Sequence, residues 1–210
     1  MDADFSVELG AEDATLDFPW EAEGTPLRYY DVRRQPELLR FIDEAEKYHE
    51  LRDFLAAVNS AASLLETAKC DTWVERELSE AEDIYHAELK FVSYVDLVFA
   101  SSGPAPRSAS GAETPSTART DFPTHERMVK RLAEMLGRAP RIQSAAEFII
   151  RRCYFRDSAE PVSGYYVTFY LSGYGLDDED ARRRWGIGLN VVQNALLQLS
   201  AEFRREKVAG

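Results

Sequence analysis

The chain has 210 residues, of which 45% are hydrophobic, and its 37 acidic against 25 basic side chains give a net charge of −12. That length fits one domain with enough apolar material for a sizeable core. The acidity argues against nucleic acid and against anionic membrane surfaces, because both require Lys and Arg opposite phosphates. Cys70 and Cys153 are too few for a disulfide framework, and the start MDADFSVELG has neither the basic nor the apolar region of a secretory leader. The chain therefore reads as cytoplasmic with both thiols reduced, and no apolar run approaches the length of a bilayer span.

Residues 1–26 are acidic and turn-rich, with one alternating piece, Phe5-Val7-Leu9, and an apolar tag, Leu16-Phe18-Trp20. They read as an arm lying on a single α+β domain over 27–210. LRYYDV (27–32) is a candidate short strand, and Pro36 suits the first turn of a helix, where its missing N–H costs nothing. Tyr48, Leu51, Leu55, Val58, Ala62 and Leu65 recur in steps of three and four, so an amphipathic helix is expected over 36–65, with a possible break in DEAEKYHE. A connector, TAKCDTWVERELSEAE, follows.

Residues 84–99, IYHAELKFVSYVDLVF, alternate with a period of two and are rich in β-branched and aromatic residues. This is a long strand, apolar on both faces in its second half and so covered on both sides. Residues 101–121 hold only small and polar residues with Pro, Gly and Arg, which bury too little surface to offset their ordering entropy; a flexible loop is expected. Thr124 is a candidate cap for a helix carrying Met128, Val129, Leu132, Met135 and Leu136, closed by Gly137 and Pro140.

AEFIIRRCYF (146–155) and GYYVTFYL (164–171) read as an antiparallel hairpin. Asp177 then caps a final helix whose stripe is Trp185, Leu189, Val192, Leu196, Leu199 and Phe203. Gly186 and Gly188 inside it cost about 1 kcal/mol each relative to Ala and point to a close approach of the helix backbone. The order β–loop–α–β–β–α predicts an antiparallel sheet of three to four strands, a ferredoxin-like half with the hairpin's second strand in the middle, plus an N-terminal helix. The two long apolar stripes predict a homodimer in which one helix buries its stripe against a second copy.

Chemistry-bearing residues are sparse. Glu46 and His49 match a Glu-x-x-His metal-ligand spacing, and Asp83 and His86 nearly repeat it, but the second pair falls at the start of a strand, so no metal site is assigned. In TAKCDTW, Lys69 precedes Cys70 and Asp71 follows it, the arrangement of an activated thiol if the side chains meet, with His86 or His49 as base. The alternative is a packed Cys with Trp73 anchoring the connector. Arg152 and Arg183 belong to basic islands that suit either carboxylate ligands or salt bridges. There is no Gly-rich phosphate loop, no Gly-x-Ser-x-Gly elbow and no Cys-x-x-Cys pair, and no cofactor is implied. The reading is a non-enzymatic, adaptor- or chaperone-like module that binds another protein; the alternative is a small enzyme or ligand-binding domain with its pocket near Cys70.

Overall fold

The computed structural model describes residues 1–100, 117–157 and 160–209. Its centre is a six-stranded mixed sheet in the order β1-β5-β6-β4-β3, with β2 also on β5. The strands are β1 (Asp2–Val7), β2 (Thr15–Phe18), β3 (Leu65–Glu75), β4 (Leu89–Phe99), β5 (Ser144–Phe155) and β6 (Val162–Gly175). The helices are α1 (Asp43–Lys47), α2 (His49–Val58), α3 (Thr117–Thr120), α4 (Phe122–Gly137) and α5 (Asp178–Ala209), with 3-10 turns at Pro36–Phe41 and Glu80–Tyr85.

The α+β class holds, but the antiparallel ferredoxin-like half of three to four strands does not. Both N-terminal strands run parallel to β5, with Phe5 opposite Phe148 and Leu16 opposite Cys153, and the connector TAKCDTW is part of the edge strand β3. The expected hairpin is present, and β6 lies between β5 and β4, the simplest arrangement of these elements. LRYYDV forms no strand; of this stretch only Arg28 makes a single bridge, to Glu21. The helix expected over 36–65 breaks at Tyr48, which is extended, and ends at Val58. The flexible loop expected over 101–121 lies mostly outside the described residues, but Thr117–Thr120 is helical and Asp121 caps α4 by accepting the Thr124 N–H.

One face of the sheet carries the helices. Phe91, Val95 and Leu97 of β4, Phe148 and Ile150 of β5, and Val167, Phe169 and Leu171 of β6 pack there against α2, α4 and α5. Trp185 is fully buried and donates its indole N–H to Ser93 Oγ at 2.8 Å. The stripes of α2 (Leu51, Phe54, Leu55, Val58) and α5 (Trp185 to Phe203) belong to this one intramolecular core, so neither is left for a second copy. The close approach expected near Gly186 and Gly188 is real: a Cβ at Gly186 would lie 2.9 Å from Glu50 Cγ, and one at Gly188 3.2 Å from Leu171.

Candidate functional site on the second face of the sheet

Even-numbered positions of β4 and β6 face away from the helices. One end of this second face is strapped by residues 15–32. Leu16 and Phe18 pack with Ala68, Val98, Cys153, Phe155 and Tyr166, and Trp20 donates its indole N–H to the Ala68 carbonyl at 2.7 Å. The opposite end is held by Glu82, which accepts hydrogen bonds from Lys90 at 2.7 Å and from the Tyr174 hydroxyl at 2.8 Å. Burial alone would raise the Glu82 pKa, but these bonds and those from Ser79 outweigh it and hold it at about 2.

Where the strap leaves the face, a cleft of about 370 Å³ opens between Phe18, Tyr29, Asp31, Arg33, Glu66 and Arg119. Arg119 is 2% exposed and uses three sides of its guanidinium. Nε donates to the Phe99 carbonyl, Nη1 to Asp157 and Nη2 to Glu66, each at 2.7 Å. The rings of Phe155 and Phe18 cover it, with its carbon 4.6 and 5.4 Å from their centroids. Desolvation raises the Glu66 pKa and the Arg119 cation opposes the rise. Arg33 is likewise committed, donating to the carbonyls of Ser60, Ser63 and Leu65 at 3.1 Å. The cleft's two best-buried cations thus tie chain segments together, which is an architectural use of charge.

Between strap and turn, the middle of the face carries a polar relay. Arg151 pairs with Glu8 at 2.7 Å and donates to Thr168 Oγ1 at 3.0 Å, and Thr168 donates to Asp96 Oδ1 at 2.8 Å. Asp96 is 6% exposed, and desolvation pushes its pKa up to about 6 against the hydrogen bond from Thr168 and the charges of Lys69 and Arg151. Beside it, Trp73, Tyr94 and Tyr170 follow one another across β3, β4 and β6, with centroids 6.4 and 6.0 Å apart. Trp73 is 37% exposed, and Tyr94 and Tyr170 are half-buried.

The residues singled out from sequence are scattered. Strand alternation puts Cys70 on the helix side and Lys69 and Asp71 on the second face, so the cation does not flank the thiol. Burial pushes the Cys70 thiol up, and the neighbouring carboxylates Glu44, Asp71 and Asp96 add to the rise. Cys70 pairs with Val95 in the middle of β4, whereas His86 is exposed before that strand begins, with a left-handed backbone at φ 48°. Glu46 and His49 are exposed and separated by the break at Tyr48, and His49 contacts Glu50 at 3.3 Å. Among the described residues, no group of three His, Cys, Asp or Glu could hold a metal ion. Arg183 pairs with Asp180 at 2.6 Å, and Arg152 is exposed on β5.

Asp96, Thr168, Arg119 and Glu66 were not singled out from sequence, whereas Arg151 lies in the basic island of Arg152 and makes a salt bridge to Glu8. The signal for Asp96 was a lone carboxylate inside the apolar run VSYVDLVF, and for Arg119 one of two arginines in a segment of mostly small residues.

No family model matches the chain, and comparison with curated proteins and with solved structures finds no match. No described helix is long and apolar enough to cross a membrane.

Proposed function

We propose that this chain is a non-enzymatic protein-binding module, adaptor- or chaperone-like, that docks a partner segment on the second face of its sheet. The strip of Trp73, Tyr94 and Tyr170 carries the reading. Partly exposed aromatic rings aligned over three strands are the chemistry enriched at protein interfaces, because each supplies a large rigid contact with a polar tip. The surrounding carboxylates, Asp71 and Glu147, stand in one register row with Tyr94 and Tyr170 and favour a segment that mixes apolar with basic side chains.

A photo-crosslinking residue at Tyr170 tests this in the producing cell. A discrete adduct at position 170, absent from the same residue placed at the exposed Ile187 of α5 and lost on Trp73→Ala/Tyr94→Ala, is the expected result. Equal labelling at both positions would remove the support for a docking face.

A second reading rests on Asp96. A buried carboxylate with a pKa near 6, hydrogen-bonded to a threonine hydroxyl, is also what a small ligand-binding domain or enzyme places where acid–base work is done. Saturable binding of a small molecule that is lost in Asp96→Asn, with the crosslinks at 170 absent, would favour it.

A further inference from the structure

The edge strand β3 is finished differently in its two halves. In the first half most outward backbone groups are occupied. Ser63 Oγ and Arg33 Nη1 donate to the Leu65 carbonyl at 3.1 Å, Asn59 Oδ1 accepts the Thr67 N–H at 3.0 Å, and Trp20 donates to the Ala68 carbonyl at 2.7 Å. A bulge between Thr67 and Lys69 then resets the register. Beyond it the outward Thr72 N–H donates to the Asp71 carboxylate at 2.7 Å. By the alternation of an antiparallel ladder, the N–H and C=O of Cys70, Thr72 and Val74 all point away from the sheet. Among the described residues, no other hydrogen bond reaches these groups. An edge of this kind is a template for another strand, and Trp73 and Val74, each 37% exposed, flank it.

We propose that the occupant is a second copy of this chain, with the two β3 strands paired antiparallel and Thr72 on the two-fold axis. The choice of register follows from charge. Outward groups meet only when 70, 72 and 74 of one copy face the same set in the other. Centring on Asp71 sets two aspartates opposite each other, and centring on Trp73 sets Asp71 against Glu75; both are like-charge pairs that destabilise a sheet. Sliding further toward Ala68 meets the carbonyl already held by Trp20. Centring on Thr72 sets Lys69 against Glu75, which also meets Lys90 of its own chain at 3.3 Å and can share both cations, Cys70 against Val74, and Asp71 against Trp73, whose indole N–H offers the Asp71 carboxylate a donor in place of the Thr72 N–H. The pair is self-complementary, as a two-fold interface must be, and it makes the second faces of the two sheets continuous. It stands on the edge geometry and the charge pattern of β3 and does not depend on the binding role of the aromatic strip.

Oxidative crosslinking of the full chain tests the register. In a Cys70→Ser background, single cysteines are placed by Asp71→Cys, Thr72→Cys and Trp73→Cys and exposed to copper phenanthroline, with the fully buried Cys153 left in place. The cysteine at 72 faces itself and is expected to give a covalent dimer in which the cysteines at 71 and 73 yield little. Stronger crosslinking at 71 or 73, or equal crosslinking at all three, overturns the register. Light scattering of the wild type at micromolar concentration is expected to give the mass of two chains, and a strictly monomeric mass overturns the pairing. Glu75→Lys is expected to weaken association about tenfold through two like-charge pairs. Lys69→Glu/Glu75→Lys restores it, and failure of the double swap to restore association also overturns the proposal.

Discussion

Arg119 donates to Glu66 at 2.7 Å across 53 residues of sequence, and both side chains are buried. The contact joins α3 to β3 beside the strap, and it sets what happens when either partner is lost. Arg119→Met leaves the Glu66 and Asp157 carboxylates and the Phe99 carbonyl without their donor and is expected to cost about 3–5 kcal/mol. Arg119→Met/Glu66→Leu removes the orphaned buried charge as well and is expected to recover part of that loss. Urea unfolding of wild type and the two variants checks it; a double variant less stable than the single one would contradict the assignment.

Asp96 gives the fold a pH dependence of definite sign. Its carboxyl is raised from 3.8 to about 6 in the folded chain, so between those values the folded state holds the proton more tightly than the unfolded state. This contribution to stability is therefore greatest below pH 4 and is lost as pH rises through about 6. Asp96→Asn keeps an acceptor for Thr168 and removes the buried charge, and is expected to stabilise the protein by about 1–3 kcal/mol at pH 7.5. The gain should shrink toward zero at pH 4, read from thermal or urea midpoints at both values.

Gly173 lies where α5 crosses β6 at closest approach. A Cβ there would sit 2.3 Å from the Trp185 backbone nitrogen and 2.5 Å from the Ala181 carbonyl oxygen. Neither backbone atom can move without lifting α5 from the sheet, so Gly173→Ala is expected to destabilise by about 1–3 kcal/mol or more. A neutral midpoint in chemical denaturation would show that the helix can shift freely.

Cys70 is expected to behave as an unreactive thiol. Burial pushes its pKa up, so little thiolate forms at neutral pH. Iodoacetamide at pH 7.5 should modify it more slowly than the same residue in urea-unfolded chain, and Cys70→Ser should change stability only modestly. Fast selective alkylation of Cys70 in the folded protein would reopen a nucleophilic role.

The apolar stripes of α2 and α5 face one another and the sheet. Periodicity marks the buried faces of Leu51, Leu55, Val58, Trp185, Leu189 and Leu196 without saying what covers them. In the fold they cover one another and the sheet, with Phe54 5.8 Å from Phe169. Val58 is fully buried, so a charge placed there would disrupt the core.

Local signals in the sequence, a period of two, a period near four or a cap within three residues of its target, are enough for the β5–β6 hairpin, α4, the Asp177-capped α5 and the long strand. That strand is expected over 84–99 and begins only at Leu89, because Glu80–Tyr85 is a 3-10 turn. The remaining features arise from contacts between distant segments. The parallel pairing of β1 and β2 with β5 joins residues far apart in the chain, as in Asp2 opposite Ala145, and no short-range pattern encodes it. β3 hid because its second half is open to solvent on one face and its bulge breaks the alternation. The Asp96–Thr168–Arg151 relay draws one residue from each of three strands, so its chemistry exists only once β4, β6 and β5 are laid side by side.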